Sequence, residues 1–116
     1  MTTKTFTPDD LRQFTGTQTY YRHWLKFMYT DGVKHFADQA GAYWFLDIVG
    51  TEIFQLREKE DFIVISMKVK EGQAVITADD GNNRVLWDRD IEYTDCPEGL
   101  WRFYLVNEVM MVPFEY

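Results

Sequence analysis

Cys96 is the only cysteine in the chain, which leaves no partner for an intramolecular disulfide and no cluster for a cysteine zinc site. No stretch approaches the roughly 18–20 consecutive apolar residues of a membrane span. The opening MTTKTFTPDD has no apolar segment of the kind a secretory leader needs, so a cytoplasmic location is expected. Basic residues are scarce, with 12 Lys and Arg against 19 Asp and Glu and a net charge of −7. Such a balance repels phosphate backbones, so direct nucleic-acid binding is not expected. Gly-rich phosphate loops, a nucleophile elbow and a dinucleotide fingerprint are all missing. The turn DDGNN at 79–83 lacks the later glutamate and the periodic oxygen ligands of a calcium loop. Neither a cofactor nor a metal is expected.

Aromatic and apolar residues, in contrast, are plentiful. Aromatics make up 17% and apolar residues 46% of 116 residues, enough for one compact domain over 1–116 and unlike a disordered acidic chain. The charge is uneven. Residues 1–60 carry seven Lys/Arg against eight Asp/Glu, a net of −1, and residues 61–116 carry five against eleven, a net of −6.

Periodicity predicts the elements. PDDLRQF at 8–14 reads as a short helical turn with proline first and acids next. Residues 19–29 alternate as one strand, with Tyr21, His23, Leu25, Phe27 and Tyr29 on one side and Tyr20, Arg22, Trp24, Lys26 and Met28 on the other. Thr30 and Asp31 then offer capping chemistry to a helix whose apolar positions are Val33, Phe36, Ala37 and Ala40, stopped at Gly41. A second helix is expected from Ala42 to Glu58, with Phe45, Ile48, Val49, Ile53 and Leu56 inward and Gly50 as a weak point. The rest reads as strands: FIVISMKVK, QAVITA, RVLWDRDIEY, LWRFYLV and VMMVPF, separated by turn residues. Pro113 suits an edge or a chain end. Short connections favour a meander, so the expected fold is α+β: an antiparallel sheet of about five to six strands against two helices on one face.

The pieces Phe14-Thr15-Gly16-Thr17, Tyr21-Arg22-His23, Tyr29-Thr30-Asp31-Gly32-Val33 and Gly41-Ala42-Tyr43-Trp44 through Asp47 resemble a family of small uncharacterised bacterial proteins carried on plasmids, phages and other mobile elements. The resemblance covers about the first half of the chain. It brings no established catalytic residues, but it implies a setting in which small acidic proteins often inhibit host defence systems.

Two groups of residues could carry chemistry. Tyr21, Arg22, His23, Asp31 and His35 could line a small-ligand or enzymatic site between the first strand and the first helix. Against that, His35 with Asp38 or Gln39 gives no helical metal spacing, and a histidine on an aromatic strand is ordinarily a hydrogen-bonded structural residue. Thr30-Asp31-Gly32 reads as a cap whose glycine permits the turn, in preference to an anion-gripping loop. Asp47, set among apolar residues, needs a partner if buried; Arg22 or the FTGT loop would make a polar staple onto the second helix. Cys96 lies in TDCPEG, where neighbouring carboxylates keep a thiol protonated.

The second group is WDRDIEYTDCPE. On a strand, Asp88, Asp90 and Glu92 project from one face about 6.7 Å apart. With Asp95, Glu98 and only Arg89 opposing, the segment carries a net −4. Trp87, Tyr93 and Trp101 are candidate exposed aromatics beside it. The bland reading is a solvated strand face that resists edge pairing. The sharper one is a non-enzymatic protein-interaction module that docks this ridge on a basic host protein, for instance as an anti-CRISPR inhibitor. High aromatic content also leaves room for a homodimer.

Overall fold

The structure is a computed structural model, and it describes residues 6–23 and 27–116. The N-terminal segment makes a 3-10 turn at Pro8–Gln13, in which Asp10 accepts the Thr7 N–H at 2.9 Å and Leu11 enters the core. Two strands follow, β1 (Tyr21–Arg22) and β2 (Met28–Tyr29), paired antiparallel with Tyr21 opposite Tyr29. The single strand expected over 19–29 is thus a hairpin, closed by the His23 N–H donating to Phe27 O at 2.7 Å. Alternation survives such a reversal, and no Gly, Pro, Asn or Asp marks it. Trp24, Leu25 and Lys26 lie outside the described residues.

Helix α1 (Asp31–Ala40) ends where expected, at Gly41 in the left-handed conformation with φ 60°. Helix α2 (Tyr43–Ile48) does not run to Glu58 as one helix. It widens into a π turn at Val49–Ile53 and tightens into a 3-10 turn at Phe54–Glu58. The change falls around Gly50, and Thr51 Oγ1 donates back to Asp47 O at 2.9 Å. Past the π turn Phe54 is buried and Leu56 only half-buried; ahead of it Leu46 is buried and Ile48 half-buried. No helix among the described residues is long and apolar enough to cross a membrane.

The remaining strands are β3 (Phe62–Lys70), β4 (Gln73–Asp79), β5 (Val85–Ile91), β6 (Gly99–Val106) and β7 (Val109–Met111). The β3–β4 turn places Glu71 and Gly72 at φ 53° and 77°, the pair of positive values a two-residue hairpin demands. The fold is α+β, a seven-stranded, mostly antiparallel sheet in the order β1-β2-β7-β6-β3-β4-β5. Sequential strands pair as expected of a meander in four places, with a departure at β6. After β3, β4 and β5, strand β6 returns to lie beside β3, which is a Greek key. The returning arch is tied to the β3–β4 turn: the Thr94 N–H donates to Gly72 O at 2.8 Å and the Glu71 N–H to Glu98 Oε1 at 2.9 Å. Strand β2 joins β7 in parallel, the one parallel pair among the described residues.

Both helices cover the sheet face that carries Ile63, Ile65, Met67, Ile76, Trp101, Phe103 and Leu105, all buried. Phe36 packs its ring 4.9 Å from both Trp101 and Phe103, and Phe45 lies 5.5 Å from Phe103. Trp101, expected as an exposed aromatic, is fully buried, and its Nε1–H donates to Pro97 O at 2.9 Å. Cys96 is buried in the arch, and burial pushes its thiol up to about 12. The cause is desolvation and not the neighbouring carboxylates.

The start of α1 is not capped by its own Thr30 or Asp31. The Asp31 N–H donates to Thr17 Oγ1 at 3.0 Å, and the Gly32 N–H donates to Glu115 Oε2 at 3.2 Å. Glu115 Oε1 also accepts the Thr30 hydroxyl at 2.5 Å and the Val112 N–H at 3.0 Å. The positive end of the helix is therefore met by a carboxylate from the far end of the chain. Gly32 is needed for closeness and not for its dihedral freedom, since a Cβ there would sit 2.8 Å from Glu115 Oε1 and from Val112 Cγ2.

Glu115→Ala is expected to cost about 1–2 kcal/mol, the range of a lost helix cap. Gly32→Ala should destabilise as well, despite alanine's better helix propensity, and should cost less in the Glu115→Ala background. Urea unfolding of the four proteins checks both statements. In the native state the Cys96 thiol should resist a thiol reagent at neutral pH and react fully only after unfolding, as absorbance of the released thiol-reagent product would show.

Candidate functional site

The two histidines of the first strand and helix lie against different neighbours. His23 is 6% exposed, and its Nε2 lies 2.8 Å from Asp47 Oδ1 on α2. Its ring stacks on Phe27 at 4.6 Å between centroids. The polar staple onto the second helix thus exists with His23 as partner, in place of Arg22 or the FTGT loop. Asp47 is not buried, its side chain being 52% exposed. His35 turns elsewhere, its ring 5.7 Å from Phe6 and 5.1 Å from Phe14. Asp31 faces the loop before β1, where Oδ2 accepts the Gln18 N–H at 3.0 Å and the Thr19 N–H at 3.4 Å. These backbone donors, Gln18 first, hold its carboxyl below the usual value of 3.8.

Tyr21 stacks on Tyr29 at 5.6 Å, and Arg22 is exposed on β1. Of the five residues proposed to line a ligand site, Tyr21 and Asp31 interact with each other, while Arg22, His23 and His35 address other neighbours. One surface groove of about 300 Å³ is lined by Leu100, Arg102, Tyr104 and Phe114 among others. No group of three or more His, Cys, Asp or Glu among the described residues is placed to hold a metal ion.

Residue periodicity overlooked one polar cluster beside this segment. Lys34 Nζ donates to Asp38 Oδ2 at 2.6 Å and sits 5.5 Å over the Tyr21 ring, while the Tyr43 hydroxyl donates to Asp38 Oδ1. Lys34 first, then Tyr43, lowers the Asp38 carboxyl, and desolvation with Asp38 pushes Tyr43 up to about 12. The i,i+4 spacing of Lys34 and Asp38 was the visible signal. Tyr43 joins only because the chain turns at Gly41.

The acidic strand lies on the opposite side of the sheet. In the β4–β5 register Asp88 faces Thr77 and Asp90 faces Val75, on the face that no helix covers. Asp88, Asp90 and Glu92 are exposed, and among the described residues none of them forms an ion pair. Arg89 points the other way and pairs with Glu52. Trp87 also points the other way, half-buried against the core opposite Ala78, so it does not accompany the carboxylates. Successive residues on a strand take opposite faces. Asp95 accepts the hydroxyl of Tyr93 at 2.9 Å, which raises that phenol, and Tyr93 itself is 75% exposed. Glu98 is engaged in holding the arch to the β3–β4 turn. The outward charge is thus concentrated in Asp88, Asp90 and Glu92 at the β5 edge.

The lowered carboxyl of Asp31 makes a pH test. A depressed native value stabilises the fold above the ordinary carboxylate range, and that contribution fades as pH falls through and below 3.8. The stability difference between the wild type and Asp31→Asn should be complete at neutral pH and shrink on acidification, as urea midpoints across pH would measure.

No curated protein and no solved structure matches the chain. A model of a family of unknown function matches residues 5–116, nearly the whole sequence. The chain belongs to that family of unknown function, DUF6876.

Proposed function

We propose that the protein is a non-enzymatic interaction module that docks Asp88, Asp90 and Glu92 on a basic surface of another protein. The observation that carries this reading is the placement of Asp88 and Asp90 on one exposed face of an edge strand, with Glu92 just past its end, all three without ion-pair partners among the described residues. Exposed like charges in a row repel one another and draw a cationic partner at long range. Tyr93, beside them, offers an aromatic body with a polar tip, a residue type favoured in interfaces. The histidines, which a catalytic reading would need together, support the same view by lying against separate neighbours.

The concrete form of the proposal is an antidefence inhibitor. A groove built to hold nucleic-acid phosphates, as in a CRISPR effector, presents spaced Lys and Arg side chains. A rigid strand with carboxylates at every second residue can occupy them. The mobile-element setting implied by the sequence motifs motivates this target class.

Affinity capture from a bacterial host extract, followed by binding measurements with the basic protein recovered, tests the proposal. Asp88→Ala/Asp90→Ala/Glu92→Ala should weaken binding by about tenfold or more, and added salt should weaken the wild type in the same direction. Binding that is indifferent to the triple substitution overturns it.

A further inference from the structure

The face that carries the carboxylates also carries cations, and the register sets them in rows. Leu100, Lys68, Val75 and Asp90 are level across β6, β3, β4 and β5. One step along, Lys70 is level with Gln73, beside which Glu92 follows β5. Lys68, Lys70, Gln73, Val75, Asp90 and Glu92 line one shallow trough, which places them on one surface. All six are exposed, and none forms an ion pair among the described residues. Val75, 43% exposed on β4, stands between the lysines of β3 and the carboxylates beyond it.

We propose that this outer face binds a second copy of the chain in a two-fold dimer, with the axis running along β4. A two-fold axis parallel to a strand preserves height along the strand and exchanges left for right. Strand β5 of one copy then lies over β3 of the other. Because Asp90 and Lys68 are level within one sheet, Asp90 meets Lys68 of the second copy, and Glu92 meets Lys70 of the second copy. Symmetry makes each pair occur twice, and Val75 packs on Val75 of the second copy at the centre. Any isologous contact needs a self-complementary patch, and this one has lysines on β3 and carboxylates on β5 to either side of Val75 on β4. Strand-to-strand pairing along the β5 edge is a poorer alternative, because it would set Asp88 and Asp90 against their own kind.

The dimer deepens the docking reading and rests on it in one respect: the carboxylates that would meet a basic target are covered by the second copy. Target and second copy therefore compete for the same ridge.

Sedimentation or light scattering of the purified chain over a concentration series tests the dimer. The wild type should double in mass with rising concentration, and salt should oppose it. Lys68→Glu/Lys70→Glu and Asp90→Lys/Glu92→Lys should each remain monomeric, with unchanged circular dichroism showing that they fold. Mixed in equal amounts, the two variants should form a heterodimer, because every facing pair then joins opposite charges, half of them as in the wild type and half reversed. A wild type that stays monomeric up to about 1 mM, a range where even weak association shows, overturns the dimer. So does a dimer that survives both charge reversals, or variants whose mixture stays monomeric. A monomeric wild type that still needs Asp88, Asp90 and Glu92 to bind its target sinks the dimer and leaves the docking reading standing. A charge-dependent dimer that no basic protein displaces does the reverse.

Discussion

Glu115 accepts three hydrogen bonds, from the Thr30 hydroxyl, the Gly32 N–H and the Val112 N–H. Its carboxylate stands at the positive end of α1 and ties together segments up to 85 residues apart in sequence. Much of the N-terminal half depends on that junction. It fixes the start of α1, and Thr30 N–H donates to Met110 O beside it, extending the parallel seam of β2 with β7. With α1 so placed, Phe36 reaches Trp101 and Phe103, and the helix layer is seated on the sheet. A second, smaller fastening, His23 to Asp47, joins the β1–β2 hairpin to α2.

The two faces of the sheet divide the labour. One holds the apolar core under the helices, with the aromatic rings in mutual contact. The other holds the charge, in strands that alternate inward apolar and outward polar residues. That division follows from a period of two and from nothing more elaborate. It puts Arg89 against Glu52 under the helices while its neighbours Asp88 and Asp90 face outward. The Greek-key return is what gives the outer face its arrangement. It brings β6 beside β3, so the lysines of β3 stand mid-sheet and the carboxylates of β5 remain at the margin.

Local features of this fold were legible in the sequence, and distant ones were not. Alternation in FIVISMKVK, QAVITA and LWRFYLV marks strands wherever they pair, and Glu71-Gly72 marks the turn between two of them. The partner of each strand is another matter. The seven residues between β5 and β6 fit a return to β3 as well as a step to the next position, so the meander and the Greek key look alike in sequence. The hairpin at 21–29 escaped notice because its reversal carries no turn residue, and the π turn because one inserted residue barely disturbs an apolar stripe. Capping by Glu115 was invisible for a simpler reason: an acid anywhere in the chain could have served. In the candidate site, the shared face of Asp88, Asp90 and Glu92 could be read from spacing. The opposite facing of Trp87 follows from the same rule. The pairing of His23 with Asp47 and not with His35 required knowing where α2 lies.

The reliance of α1 on Glu115 has a consequence during synthesis. Chains are made from the N-terminus, so Thr30 and Gly32 leave the ribosome long before Glu115 is added. Until then the first turn of α1 has no carboxylate to meet it, and β2 has no β7 to lie against. The β1–β2 hairpin and the hairpins of the Greek key need no such wait, since their contacts are near in sequence. The N-terminal half therefore gains these two fastenings only after the segment that carries β7 and Glu115 has been made.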